Sequence, residues 1–191
     1  MLELVIDSIR VSLVNYQRVV ILKERESDRF LPIWIGQLEA DAIALKLQDM
    51  TPPRPMTHDL MHHVLSDLGG VVDRIIVSGL DHDTFFAKVM VTAAGRTITV
   101  DARPSDALAL AVRAKAPIFA EESVLEHAGV RLDRETGKAI VGESGASSAT
   151  VGEGEPGGAP DEHELERMSA FKDFIDSLDL DDLGDSSGRE G

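Results

Sequence analysis

The sequence contains no cysteine, few aromatic residues and no long apolar run, and each absence excludes a class of protein or site. A chain without cysteine has no disulfide framework, thiolate metal site or cysteine nucleophile. No run approaches the roughly 20 apolar residues that cross a bilayer, and the first residues lack a basic and apolar leader. We therefore expect a protein without membrane association and with a cytoplasmic location. An aromatic fraction of 4% leaves few stacking platforms for single-stranded nucleic acid.

Sequence motifs for nucleotide binding and serine hydrolysis are scarce as well. The sequence has no lysine-containing Walker loop and no G-x-S-x-G turn. We expect no nucleotide cofactor and no haem, and any metal ion has to be held by oxygen or imidazole ligands.

Negative charge is concentrated at the C-terminal end of the sequence. The net charge is −15, of which −4 falls within residues 1–132 and −11 within residues 133–191. Negative charge repels phosphate backbones and disfavours non-specific nucleic-acid binding. No basic stripe counters this effect.

Hydrophobic periodicity predicts an α+β fold, in which a compact mixed sheet with antiparallel hairpins is packed by helices. Apolar, β-branched runs predict strands at residues 2–12, 18–23, 30–35, 71–80, 84–92, 96–101 and 117–119. Helical spacing predicts helices that start near Gln37, Thr57, Pro104 and Ser123. In the second helix we expect an inner face of Met61, Val64, Leu65 and Leu68, with Thr57 as its N-cap.

Composition divides the sequence into a domain and an appendage. Residues 1–132 form the predicted domain, and residues 133–160 form a flexible linker that is rich in glycine, serine and alanine. Apolar residues at helical spacing predict an amphipathic helix over 161–178, and residues 179–191 form an acidic, disordered tail. That helix has no core of its own, so we expect it to dock over a basic cleft containing Arg54 and Arg103, to bind a partner protein, or to fray.

Three segments place polar residues beside predicted helix starts: residues 36–41 with Glu39, residues 54–59 with Arg54, His58 and Asp59, and residues 100–107 with Arg103 and Ser105. In the first segment backbone N–H groups at the helix start can receive an anion. The second is a proline-braced loop that holds an arginine, a histidine and an aspartate in place, as catalysis requires. The third is a candidate metal site. Each is also explained by helix capping and surface ion pairs.

Two aspartates provide the candidate metal ligands. Asp101 and Asp106 lie five residues apart across a strand-to-helix turn and can share Mg²⁺ or Mn²⁺, with Arg103 between them. An ion pair plus a helix cap would give the same sequence. His58 and His62 have the i, i+4 spacing of paired zinc ligands, but no third ligand is evident, so exposed helix residues are the favoured interpretation.

Three separated motifs identify a family resemblance: FLPIWIGQLEADAIAL, PPRPMTHDLMHHVL and VDARPSDALALAVRAKAPIFA. In this order and spacing they resemble the bifunctional nuclease domain family, over about residues 1–130. The resemblance implies a compact α+β domain and nuclease activity on RNA and DNA. The matching positions are Gly36, Glu39, Ala40, Arg54, Pro55, Thr57, His58, Asp59 and residues 101–107.

The resulting hypothesis is a metal-assisted phosphodiesterase. In it Asp101 and Asp106, with Glu39 or Asp59, hold Mg²⁺ or Mn²⁺ that activates water. The phosphate-binding residues are Arg54, Arg103 and Ser105, and His58 protonates the leaving oxygen. The alternative is a non-enzymatic binding or regulatory module, in which the same residues are caps and ion pairs.

A homodimer is the expected assembly. The predicted sheet leaves apolar edge strands, and pairing across a twofold axis would protect them. Coverage of these edges by the chain's own helices is the alternative.

Overall fold

The computed structural model describes residues 1–11, 17–132 and 139–141. The chain divides into two units, residues 1–130 and residues 131–191. The predicted terminal helix at 161–178 and acidic tail at 179–191 lie outside the described residues. Within the predicted linker, the described part is a short strand, Ala139–Val141.

The strand and helix bounds follow the hydrophobic pattern closely. The described strands are β1 (Leu2–Val11), β2 (Arg18–Glu24), β3 (Arg29–Ile35), β4 (Gly70–Asp81), β5 (Thr84–Ala93), β6 (Arg96–Ala102), β7 (Ile118–Ala120), β8 (Val130–Leu132) and β9 (Ala139–Val141). The described helices are α1 (Gln37–Leu47), α2 (Thr57–Asp67), α3 (Pro104–Ala114) and α4 (Glu122–Ala128). The predicted α+β class is confirmed.

The sheet of the first unit is mixed. Its strands run in the order β6-β5-β4-β7-β1-β2-β3. Consecutive strands within β1–β3 and within β4–β6 pair antiparallel, as the short turns predicted. The short strand β7 joins these two meanders, since it pairs parallel with β4 and antiparallel with β1. The helix α3 therefore carries the chain from β6 back to the centre of the sheet.

The hydrophobic core lies between one face of this sheet and the helices. Strand residues such as Leu22, Leu31 and Ile75 are fully buried against helix residues such as Ile43 and Leu108. Side chains alternate between the two faces of a strand, so every second residue of these strands contributes to the core. Burial of this apolar surface is the main stabilising contribution to the domain.

The predicted inner face of α2 is wrong. Met61, Val64 and Leu68 are exposed, and Leu65 alone of the four packs against the core. His58 is the buried residue of this helix. The inward stripe is therefore His58, half-buried His62 and Leu65, at i, i+4 and i+7. Polar contacts of His58 and its neighbour Asp59 determine this rotation, and they are described below.

The helix starts require one further correction. The N-cap of α2 is Met56 rather than Thr57, and the Asp59 carboxylate accepts a hydrogen bond from the Met56 N–H at 2.9 Å. Among the helices in the described part of the chain, none is long and apolar enough to cross a membrane.

Removal of residues 142–191 should leave a folded domain, because the core residues of the first unit all lie upstream of this segment. We expect the shortened chain to be soluble, to unfold cooperatively in urea and to keep the circular dichroism spectrum of its helices and strands. An insoluble or non-cooperative product would show that the C-terminal segment belongs to the core.

Candidate functional site

The three sequence motifs are three helix starts of one design. In each, an acidic residue occupies the third helical position: Glu39 follows the N-cap Gly36, Asp59 follows Met56, and Asp106 follows Arg103. No N-cap side chain makes a capping hydrogen bond in these helices. A carboxylate in the first turn interacts favourably with the positive end of the helix dipole.

Ion pairs join these three helix starts. Arg103 donates to Asp106 from Nε (2.7 Å, Oδ2) and from Nη2 (3.1 Å, Oδ1), and its Nη1 lies 3.2 Å from Oε1 of Glu39. Nε2 of His58 lies 3.1 Å from Oδ1 of Asp106. We call Glu39, His58, Arg103 and Asp106 the helix-terminus cluster. It connects α1, α2 and α3 at their N-terminal ends, and it unites four of the predicted site residues.

The protonation states within the cluster follow from its contacts. Burial by itself would raise the pKa of Asp106, but hydrogen bonds from Arg103 and His58 outweigh it, and the pKa is lowered. The hydrogen bond to Asp106 likewise raises the pKa of Arg103. Because Asp106 is ionised, the hydrogen that it shares with His58 lies on Nε2. In the neutral imidazole, Nδ1 is then the proton acceptor.

The cluster presents one cation to solvent. The Arg103 side chain is 66% exposed, whereas those of His58 and Asp106 are mostly covered. Gly36 provides room for the arrangement, because a Cβ at this position would collide with the Glu39 carboxylate. The carboxylates of Glu39 and Asp106 therefore hold the guanidinium in place, and its solvent-exposed side can contact a ligand.

Asp59 takes part in a different contact. It accepts a 2.6 Å hydrogen bond from Nε of Arg113, whose side chain is 4% exposed. Nη1 of the same arginine donates to the carbonyl oxygens of Ala42 (3.1 Å) and Ala109 (2.9 Å). Arg113 thus ties α1, α2 and α3 together. Both oxygens of Asp59 are thus engaged, one by Arg113 and one by the Met56 N–H, and its catalytic role stays a prediction.

Arg113 was not among the predicted site residues, although the sequence carries a signal for it. Asp106 and Arg113 are seven residues apart on α3, so they lie on one face, two turns from each other. A cation on the same face as a candidate ligand, within an otherwise apolar helix, indicates a partner on a neighbouring element.

The two predicted metal ligands are not brought together. Asp101 pairs with Lys88 across the β5–β6 ladder, while its neighbour Ala102 pairs with the buried Ala87. Because side chains alternate along a strand, Asp101 extends from the face opposite the core, and Asp106 lies on α3 at the core face. Both oxygens of Asp106 already accept hydrogen bonds. The arrangement does not fit a cation shared by these two carboxylates.

No group of three or more His, Asp or Glu side chains in the described ranges is arranged to hold a metal ion. His58 and His62 do share a helix face, but His58 is hydrogen-bonded to Asp106 and the ring of His62 lies beside that of His63. The interpretation of both histidines as exposed helix residues is wrong, because His58 is buried and His62 is half-buried.

The remaining predicted residues differ in accessibility. Arg54 is exposed on the loop that leads into α2, and its side chain has no hydrogen-bond or ion-pair partner among residues 1–11, 17–132 and 139–141. Ser105 is buried in the first turn of α3. Arg54 is therefore available to a ligand. The side chain of Ser105 is buried, so a ligand could contact this residue only at the first turn of α3.

Comparison with known proteins identifies relatives of this chain. A family model described as "Bifunctional nuclease domain" matches residues 20–133. A protein of Mycobacterium tuberculosis (strain H37Rv), named as uncharacterised, is 39% identical over 181 residues, which are 95% of this chain and 97% of that protein. "Bifunctional nuclease 1" of Oryza sativa subsp. japonica is 24% identical over 63% of this chain and 38% of its own length. "Bifunctional nuclease 1" of Arabidopsis thaliana is 25% identical over 60% and 36%.

Replacement of Arg113 should destabilise the domain strongly. In Arg113→Met the apolar volume is kept, but the Asp59 carboxylate and two carbonyl groups lose their donor. Breaking a buried pair in this way costs about 3–5 kcal/mol. Urea denaturation measures the loss, and Arg54→Met, at an exposed arginine without a partner in the described chain, is the matched control. A loss below about 1 kcal/mol would contradict the tie between helices.

The two ionised aspartates should also make stability depend on pH. Burial opposes ionisation of Asp59, but hydrogen bonds from Met56 and Arg113 prevail and lower its pKa, as the cluster does for Asp106. Their contribution is complete above the unfolded value of about 3.9 and is lost as the pH falls through it toward the lower folded values. The urea midpoint should fall between pH 6 and pH 3, and less steeply in Asp59→Asn/Asp106→Asn. Equal slopes would refute this assignment.

Proposed function

Because the chain belongs to the bifunctional nuclease domain family, we propose that it hydrolyses phosphodiester bonds of RNA and DNA at the helix-terminus cluster. The observation that carries the proposal is the meeting of three helix starts at one exposed guanidinium. The positive ends of helix dipoles and their free N–H groups attract phosphate. The plant relatives named as bifunctional nucleases support the same substrate class.

In this proposal Arg103 binds the phosphate. Its guanidinium offers five donors in a planar fork, and the contacts to Asp106 and Glu39 hold that fork in one orientation. A preorganised donor does not lose conformational freedom at the moment of binding. Arg54, exposed on the loop before α2, supplies a second cation for a neighbouring phosphate.

In this proposal His58 transfers the proton. Asp106 fixes the orientation of the imidazole through its contact with Nε2, as carboxylates do in other acid–base pairs. With the Nε2 hydrogen directed at Asp106, Nδ1 takes up a proton from water or delivers one to the leaving oxygen. Asp106 is a positioning residue here, since it acts through Arg103 and His58.

Mg²⁺ or Mn²⁺ remains a prediction for this chain. A divalent cation bound beside the scissile phosphate would neutralise charge and activate water. Asp106 and Glu39 are the carboxylates that face the phosphate in this proposal, and both are paired with Arg103. Activity with and without EDTA tests whether an added cation is required.

A non-enzymatic binding or regulatory module is the second candidate. Two observations favour it: the charges of the helix-terminus cluster are paired with one another, and α2 presents Leu60, Val64 and Leu68 to solvent. An exposed apolar surface of this kind commonly marks a contact with another macromolecule. In that case the purified protein would bind a partner without cleaving nucleic acid.

The deciding experiment compares two aspartates of the third motif. Asp106→Asn should lower the cleavage rate of short RNA and DNA by at least about 100-fold, because His58 and Arg103 lose the carboxylate that positions them and acid–base catalysis of this size depends on that position. Asp101→Asn should keep the wild-type rate, because Asp101 lies on the other face of the sheet. Asp41→Asn, at an exposed position on α1, is a further control.

Three results would change the account. Equal losses in Asp106→Asn and Asp101→Asn would favour the two-aspartate metal site. Full activity in a folded Asp106→Asn protein would exclude the helix-terminus cluster as the active site. A wild-type protein without cleavage under any cation condition would favour the binding module.

A further inference from the structure

The strand β6 is an edge strand without the usual protection. One side pairs with β5 in a continuous register without a bulge, and the other has no partner among the described strands. Its sequence, Arg-Thr-Ile-Thr-Val-Asp-Ala, contains no proline and no lysine, the residues that commonly block edge pairing. Four consecutive β-branched residues, 97–100, give it high strand propensity. Such an edge is a ready template for another strand.

The apolar residues of this edge belong to the core face. Ile98 pairs with Val91 and Val100 pairs with Val89, and both partners are buried. Yet Ile98 is 49% exposed and Val100 is 46% exposed. The helices therefore stop short of covering the core face at β6, so a further strand and its side chains would complete the burial.

The sequence of β6 suits pairing with β6 of a second copy of this chain. A twofold axis perpendicular to a sheet keeps each residue on its own face, so it requires one residue to lie opposite its own copy. Thr99 is the middle residue of β6, and the register centred on it pairs all seven residues. Ile98 then lies opposite Val100 twice, and Thr97 lies opposite Asp101, a hydroxyl donor facing a carboxylate acceptor.

We propose that two copies of this chain pair antiparallel through β6 in the register centred on Thr99, and that each copy delivers Arg96 to the helix-terminus cluster of the other. In this register Arg96 lies opposite Ala102 on the core face, and Ala102 directly precedes Arg103. Opposite residues have Cα atoms about 4.5–5.5 Å apart. The role of Arg96 rests on the proposed function; the pairing itself does not.

The added cation corrects a charge deficit. Within one chain the cluster has two carboxylates, Glu39 and Asp106, against the single guanidinium of Arg103. Arg96 is exposed and its side chain has no partner in the described part of the chain. A second arginine beside the start of α3 would strengthen phosphate binding at the cluster.

Molecular mass tests the pairing. Light scattering should give twice 20.7 kDa for the full chain at micromolar concentration. Ile98→Glu/Val100→Glu should be monomeric, because like charges then lie directly opposite each other. A mixture with Ile98→Lys/Val100→Lys should restore the dimer. Val71→Glu and Leu68→Glu, at exposed apolar positions of β4 and α2, should stay dimeric. A monomeric wild type, or loss of the dimer in Leu68→Glu alone, would overturn the proposal.

Disulfide cross-linking tests the register, and the sequence has no native cysteine that could compete with the introduced ones. Thr99→Cys should form a disulfide with its own copy on oxidation, since a disulfide needs Cα atoms within about 7 Å. Thr97→Cys lies about 13 Å from its copy in this register and should cross-link only when it is mixed with Asp101→Cys. Self-cross-linking of Thr97→Cys as fast as that of Thr99→Cys would refute the register.

Binding of a short single-stranded RNA tests the role of Arg96 in the cross-linked Thr99→Cys dimer. Arg96→Met should weaken binding and reduce the slope of log K against log salt by about 0.7, the value for one phosphate contact. Arg25→Met, at an exposed arginine on the β2–β3 turn, should leave both unchanged. An unchanged slope in Arg96→Met would refute its role. Absence of RNA binding by the wild type would refute the proposed function, while mass and cross-links still decide the dimer.

Discussion

A buried guanidinium is the constraint on which the arrangement of the helices depends. Arg113 reaches a carbonyl of α1, the Asp59 carboxylate of α2 and a carbonyl of its own helix, with almost no access to solvent. The helix α2 buries little apolar surface, since Met61, Val64 and Leu68 are exposed. Its position is therefore set by polar contacts at its first turn. An unpaired charge in this place would be expensive, so the contacts specify one orientation.

Two carboxylates of similar sequence context perform different tasks because of this arrangement. Asp59 and Asp106 each occupy the third position of a helix, but Asp59 meets a buried arginine and Asp106 meets an exposed one. The buried pair fixes the helices. The exposed pair, together with His58 and Glu39, joins the N-terminal ends of three helices and presents one cation to solvent. Rigidity in the first pair supplies the preorganisation that the second requires for binding or catalysis.

Local pattern predicted most of the elements, and long-range geometry accounts for what it missed. Apolar, β-branched runs predict β4, β5 and β6 to within one residue at each end, because these residue types favour the extended strand conformation. The sequence predicts a strand at 117–119, but the central place of β7 depends on its pairing with β4 and β1, which are distant in sequence. The motif residues of the site are predicted, but their long-range partners are not: Asp101 and Asp106 are near in sequence but on opposite sides of the sheet, and no role is predicted for Arg113.

The central claim is that the three helix starts form one phosphate-binding surface, and amide resonances report on it directly. In ¹H–¹⁵N spectra of the full chain, addition of a short RNA should shift the amides of residues 36–39, 56–59, 103, 105 and 106 together, with a common dissociation constant. The amides around Lys88, on the other face of the sheet, should not move. Shifts confined to that other face, or to one helix start alone, would contradict the account.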